Sequence, residues 1–171
     1  LRYHTGMAYD ETQRKTVLFG GHDQDGFLFG DTWVYEKGVG CANPNPAAAP
    51  SARYGHGLVW AGDKFLLFGG IDGSGQYLDE TWTYDLLTNT WTQLSLSTAP
   101  EARAHFAMAY DPDTRQVVMF GGQGSGGNLV NGFTWMFDVD ASTWTRCALV
   151  PFPAVRTETC MAYDKTSRRM I

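Results

Sequence analysis

The chain has 171 residues, of which 43% are hydrophobic and 14% aromatic, so it is long and apolar enough to bury a core. Its 13 basic and 18 acidic residues give a net charge of −5, which argues against a nucleic-acid partner because phosphate binding needs clustered lysine and arginine. No stretch approaches the roughly 20 apolar residues of a membrane-spanning helix. The 20 glycines are spread along the chain and indicate many turns.

One unit of about fifty residues occurs three times and then begins a fourth time. Each unit starts with an arginine and reaches an aromatic residue seven positions later. A short apolar run follows and is closed by two glycines, and after it comes Thr-Trp-x-aromatic. The arginines are Arg2, Arg53, Arg103 and Arg156, and the double glycines are Gly20-Gly21, Gly69-Gly70 and Gly121-Gly122. Such a period indicates a repeat architecture.

Each unit predicts four short β-strands, which we call segments A to D in chain order. Segment A follows the arginine, B precedes the double glycine, C surrounds the Thr-Trp pair, and D carries a second tryptophan, Trp91 or Trp144. The first unit lacks that tryptophan and has Pro44 and Pro46 nearby, so its D strand is expected to be short or irregular.

The double glycine after an apolar strand, the aromatic residue in the next strand and the later tryptophan resemble the kelch repeat. This resemblance covers nearly the whole chain and implies four-stranded antiparallel blades that ring a central channel. The predicted fold is therefore all-β, an arc of kelch-like blades from a β-propeller whose ring is incomplete. The expected blades are 1–49, 50–99 and 100–150, and 151–171 would supply the first strand and part of the second strand of a fourth.

The fourth unit is incomplete. Tyr9 and Tyr110 each precede their double glycine by eleven residues, and the same spacing from Tyr163 falls beyond Ile171. Propellers close with about 4–8 blades, so further blades are expected from the rest of a longer chain or from another subunit. A longer chain is favoured, because a second copy would also lack segments C and D of this unit.

Strand parity predicts where a ligand would bind. In a four-stranded meander the B–C and D–A connections lie on one face, and here these connections are the long and variable ones. Loops on a rigid scaffold commonly carry binding residues. The candidate binding residues on this loop face are His22, Asp23, Asp25, Asp72, Gln76, Gln123 and Asn128.

The four arginines that begin segment A are placed on the same face, near the channel mouth. They have two interpretations. One is a structural role, with hydrogen bonds to the backbone of the neighbouring blade. The other is a partial ring of guanidinium groups that binds an anion, since arginine suits bidentate contact with carboxylate or phosphate. The structural role is favoured because these arginines belong to the repeat itself.

No catalytic residue, metal site or cofactor is predicted. Asp23-x-Asp25-Gly26 matches part of a calcium loop but lacks the other ligands. His4, His56 and His105 follow their arginines by two or three residues, and this variable offset favours packing or solvent exposure over metal binding.

The three cysteines form no disulfide framework. Cys160 replaces Gly6, Gly57 and Ala107 of the other units, so we expect a small buried side chain in the innermost strand. Cys147 follows segment D at the outer edge, too far from Cys160 for a disulfide.

The predicted function is that of a non-catalytic module that presents the loop face to a protein or glycan partner. The first alternative is part of a propeller enzyme, such as the copper oxidases with kelch-like repeats, whose site would lie in further blades. The second is a structural repeat of an extracellular or surface protein, which the scarcity of lysine weakly favours. The recurrent tryptophans are expected to fill the space between blades.

Overall fold

The computed structural model describes residues 1–147 and 153–171. The chain is 2% helical and 41% strand, which confirms the all-β prediction. The strands are β1 (Gly6–Asp10), β2 (Lys15–Phe19), β3 (Thr32–Glu36), β4 (Gly40–Ala42), β5 (Arg53–Tyr54), β6 (Gly57–Trp60), β7 (Phe65–Phe68), β8 (Ile71–Asp72), β9 (Thr81–Asp85), β10 (Thr90–Gln93), β11 (Ala107–Asp111), β12 (Gln116–Phe120), β13 (Trp135–Asp138), β14 (Thr143–Arg146), β15 (Tyr163–Asp164) and β16 (Arg169–Met170). A 3-10 turn covers Ser125–Gly127.

Three four-stranded antiparallel sheets follow one another along the chain, in the strand orders β1-β2-β3-β4, β6-β7-β9-β10 and β11-β12-β13-β14. Strands β15 and β16 pair at the start of the fourth unit, and β5 pairs with β8. These sheets confirm the kelch-like arc, and they do not close into a ring. The expected boundary between 100–150 and 151–171 lies outside the described residues.

The outer strand of the first sheet is short, as predicted. Strand β4 has three residues, all exposed, whereas β10 and β14 have four residues each and bury a tryptophan. The first sheet therefore has little apolar surface at its outer edge.

The core lies between neighbouring sheets. Strand β7 is buried at all four positions because both of its faces are covered. Phe65 and Leu67 pack with the first sheet, while Leu66 and Phe68 pack with the third. This division follows from the alternation of side chains along a strand.

The segment-D tryptophans connect each sheet to the preceding one. Trp91 and Trp144 are 3% and 2% exposed. The indole N–H of Trp91 donates to Thr32 Oγ1 at 3.0 Å, and that of Trp144 donates to Thr81 Oγ1 at 3.0 Å. These two tryptophans confirm the expected packing between sheets.

The segment-C tryptophans Trp82 and Trp135 also pack against the cores between sheets, but they are only half-buried. Trp82 directs its indole N–H at the partly exposed carboxylate of Glu80, at 3.0 Å, and so lies towards the sheet surface.

The expectation that Cys160 is buried is wrong, because its side chain is exposed. At the equivalent Gly6 and Gly57, the atoms that approach come from the following unit: His56 and Leu58 at Gly6, and Phe106 and Met108 at Gly57. Cys160 belongs to the fourth unit. All three cysteines are free.

The hydrogen bond between sheets is testable at Thr81. A Thr81→Val substitution keeps the side-chain shape but leaves the buried Trp144 N–H without an acceptor, so we expect a loss of about 1–3 kcal/mol in unfolding free energy by denaturant titration. The control is Thr83→Val on the same strand, where the half-buried Thr83 makes no such bond and a change within about 0.5 kcal/mol is expected. Equal losses for both variants would contradict the role of this bond.

Candidate binding face and channel mouth

Each double glycine holds the start of the following unit. The N–H groups of Gly21, Gly70 and Gly122 donate to the carbonyls of Arg53, Arg103 and Arg156 at 2.8, 2.9 and 2.8 Å. A Cβ on Gly20, Gly69 or Gly121 would lie 2.6, 2.5 or 2.5 Å from the same carbonyls. Both glycines of each pair also have positive φ. Only glycine satisfies the conformation and the close approach together.

The side chains of the arginines bind within their own units. Arg53 donates from Nη1 to the carbonyl of Gly69 at 3.2 Å and from Nη2 to Glu80 at 2.6 Å. Arg103 donates from Nη1 to the carbonyl of Gly121 at 3.2 Å. The contact with the preceding unit is made by the backbone carbonyls of Arg53, Arg103 and Arg156.

This arrangement agrees with the structural interpretation favoured for these arginines and not with a ring of guanidinium groups at Arg53 and Arg103. Arg53 and Arg103 have no exposed surface, so a ligand on the loop face does not reach them. Arg2 forms a bidentate pair with Asp31, at 2.6 and 2.7 Å, and is partly exposed. Arg156 is exposed and donates to the carbonyl of Ala154.

Each B–C connection contains a short hairpin at the edge of its sheet. The hairpin bases are closed by the bridges His22↔Leu28, Ile71↔Tyr77 and Gln123↔Leu129. In the first hairpin, Asp23 Oδ1 accepts the N–H groups of Asp25 and Phe27 at 3.0 and 2.9 Å. Asp72 does the same in the second hairpin for Ser74 and Gln76, at 2.8 and 3.0 Å. These bonds fix the loop conformation before any ligand binds.

The predicted loop residues therefore fall into two groups. Asp23 and Asp72 cap their hairpins, and their carboxylates are committed to internal hydrogen bonds. Asp25, Gln76 and Asn128 are exposed near the hairpin tips, while His22 and Gln123 are half-buried at the bases. Among the tip residues, Asn128 donates its amide N–H to the carbonyl of Ser125 at 3.3 Å.

The residue two positions after each arginine has a left-handed backbone. These residues are His4, Gly55, His105 and Glu158, with φ of 51°, 66°, 57° and 55°. Their backbones form a continuous ladder, in which Gly55, His105 and Glu158 each donate an N–H to the carbonyl of the preceding member at 3.0, 2.8 and 2.8 Å. We call this arc the mouth ring, since it lies where the A segments converge.

Histidines collect at the mouth ring, although the sequence favoured packing or solvent for them. His4 and His105 share the same offset from their arginines, and only His56 is shifted by one residue. The rings of His4 and His105 meet edge to face at 4.8 Å between centroids, and His4 Nδ1 lies 3.1 Å from His22 Nε2. Tyr54 packs against His22 at 5.0 Å. The signal in the sequence was this shared offset.

Three side chains at the mouth ring are of types that bind metal ions. His4, His105 and Glu158 each offer a ligand atom, and these atoms lie within 4.8 Å of one another. The pKa of His105 is lowered, chiefly by burial and also by the neighbouring His4, so its imidazole is neutral at neutral pH.

His56 is different, and packing is confirmed for it. It is 7% exposed, and its Nε2 accepts the N–H of Gly6 at 3.2 Å across the interface between units. Burial first, and the charge of Arg53 second, lower the pKa of His56 from 6.5 to about 3. The imidazole of His56 is therefore neutral in the folded chain at neutral pH.

Below the mouth, the A strands line an open groove of about 750 Å³. Equivalent positions recur in each unit, so that Met7, Leu58, Met108 and Met161 form one row and Tyr9, Trp60, Tyr110 and Tyr163 form another. The groove is the channel side of the arc.

Three antiparallel meanders arranged side by side around a shared channel define a repeat protein of the β-propeller type. The chain belongs to the kelch-repeat family, since the model of the KLHDC2/KLHL20/DRC7 Kelch-repeats domain matches residues 3–170. No curated protein matches the chain. Kelch domains generally mediate protein interactions. Within the ranges that the structure describes, no helix has the length and apolar character needed to cross a membrane.

The buried His56 predicts a pH dependence of stability. Its pKa is lower in the folded chain than in the unfolded chain, so the unfolded state takes up the proton first as the pH falls. Stability from this group is present above pH 6.5 and is lost between pH 6.5 and about 3, with a slope of up to about 1.4 kcal/mol per pH unit. We expect urea titrations across this range to show the slope in the wild type.

The variant that tests this slope is His56→Gln, whose amide oxygen can accept the Gly6 N–H but does not titrate. The difference in unfolding free energy between the wild type and His56→Gln should shrink as the pH is lowered. His22→Gln retains His56 and should follow the wild type. A pH-independent difference between wild type and His56→Gln would overturn this assignment.

Proposed function

We propose that this chain is a non-catalytic interaction module that presents its loop face, formed by the B–C hairpins and the D–A connections, to a protein partner. One observation carries the proposal. The hairpins are held rigidly by the same scaffold in each unit, while their exposed tip residues differ from unit to unit. Variation on a fixed frame suits specific recognition, because little ordering entropy is lost on binding.

The chemistry of the tips favours a protein over a glycan. Phe27 and Leu129 are 65% and 51% exposed on the first and third hairpins, and Tyr3 is 41% exposed beside them. Exposed aromatic and aliphatic side chains with polar neighbours such as Gln76 and Asn128 are typical of anchors at protein interfaces.

Many turns on the opposite face are capped by an aspartate side chain. Asp10, Asp111 and Asp164 accept backbone N–H groups in the A–B turns, and Asp85 does so in a C–D turn. Val39 and Leu87 are exposed there, at 78% and 82%. Apolar exposure alone therefore does not separate the faces. The turns do, because three of the A–B turns share one aspartate cap, whereas the hairpin tips differ from unit to unit.

The binding face is tested with two sets of variants of this chain. The affinity of each variant for one purified protein partner is measured by biolayer interferometry. Phe27→Ser, Gln76→Ala and Asn128→Ala change the hairpin tips, and at least one should weaken binding by about 10-fold or more if it is an interface anchor. Val39→Ser, Asp63→Ala and Leu87→Ser change exposed residues of the opposite turns and should leave the affinity unchanged.

Asp10 and Asp111 are avoided because they cap turns. Loss of binding with the opposite set alone would show that the partner uses the other face. Thermal unfolding of each variant separates lost contacts from lost structure.

A further inference from the structure

Three side chains from three different units meet at the mouth ring. His4, His105 and Glu158 are distant in sequence, yet their ligand atoms lie within 4.8 Å of one another. The backbone ladder positions them. Gly55 donates its N–H to the carbonyl of His4, His105 donates to Gly55, and Glu158 donates to His105. The position of these side chains is thus set by the scaffold and not by a flexible loop.

We propose that His4, His105 and Glu158 bind a divalent transition-metal ion, with Zn²⁺ as the probe ion. Two imidazole nitrogens and one carboxylate are a known protein ligand set for zinc, which leaves one position open. Imidazole also suits the other late first-row dications. This site goes beyond the proposed interaction role and does not depend on it.

The distances are compatible with such an ion. With metal–ligand bonds of about 2.1 Å, tetrahedral ligand atoms lie about 3.4 Å apart. The present separations of at most 4.8 Å require only a small closure. His4 and Glu158 are exposed, so rotation of these side chains is not hindered by close packing.

The neighbouring hydrogen bonds leave His4 a free lone pair. His22 Nδ1 lies 2.8 Å from the carbonyl of Asp23, which only accepts, so the proton is on Nδ1 of His22. The Nε2 of a neutral His22 then accepts from His4 Nδ1 at 3.1 Å. His4 therefore keeps its lone pair on Nε2. Metal-binding histidines commonly have such a hydrogen bond on their other nitrogen.

Gly55, the remaining member of the mouth ring, makes room for the proposed metal site. A Cβ on Gly55 would lie 2.9 Å from Cε1 of His105, so the glycine leaves space for the imidazole. An ion bound here would connect the first, third and fourth units across the ring. Since it would bind only the folded arrangement, it should also raise the melting temperature.

The experiment uses the whole chain, freed of metal by chelation and titrated with ZnCl₂ in a calorimeter. We expect one equivalent to bind in the micromolar range or tighter and to raise the melting temperature, with reversal by EDTA. The variants are His4→Asn, His105→Asn and Glu158→Gln. Asparagine tolerates the left-handed backbone, and loss of one ligand should weaken binding by more than about 100-fold, beyond the effect of removing an outer partner.

Two control variants introduce the same new residues, asparagine and glutamine, away from the mouth ring. Arg14→Asn lies at another left-handed position, with φ of 58°, and Glu11→Gln removes an exposed carboxylate on the opposite face. Both should bind zinc like the wild type. Circular dichroism confirms that each variant is folded. Failure of the wild type to bind zinc below millimolar concentrations, or equal binding by the three ligand variants and the controls, would overturn the proposal.

Discussion

The hydrogen bond from the second glycine of one unit to the arginine carbonyl of the next is the constraint on which this structure depends. It requires two glycines, because a Cβ on Gly20 or Gly69 would lie 2.6 or 2.5 Å from that carbonyl. It brings the sheets side by side, so that both faces of β7 are covered. The arginine side chain then turns back to its own unit, which is why Arg53 is buried.

The same contact determines the chemistry of the channel mouth. Once the arginine carbonyl is fixed, the residue two positions later enters a ladder with its counterparts in neighbouring units. Side chains at this position converge whatever their identity, and here His4, His105 and Glu158 occupy it. His56, one residue further on, enters the interface instead, where Gly6 donates to it. A shift of one residue thus separates a packing histidine from one at the mouth.

The sequence predicted the fold well because period, double glycine and strand alternation are local signals that agree in every unit. It also predicted the short first D strand, from the missing tryptophan and from Pro44 and Pro46. It did not show which neighbour each side chain meets. The burial of Arg53 and Arg103, the exposure of Cys160 and the roles of Asp23 and Asp72 as hairpin caps depend on contacts between or within units that spacing does not record. The convergence of histidines depended on a shared offset that the shift at His56 obscured.

The left-handed position two residues after the arginine also bears on how the sequences of such repeat arrays evolve. The scaffold demands a backbone conformation there but places little demand on the side chain, and Gly55, His105 and Glu158 all satisfy it. Glycine, histidine, asparagine and aspartate enter this conformation more readily than other residues. A single codon change in one unit can therefore add or delete a functional group at the channel mouth without disturbing strand pairing. Neighbouring positions still constrain each other, because a side chain in place of Gly55 would put its Cβ 2.9 Å from Cε1 of His105, so a change in one unit limits what the next unit can carry.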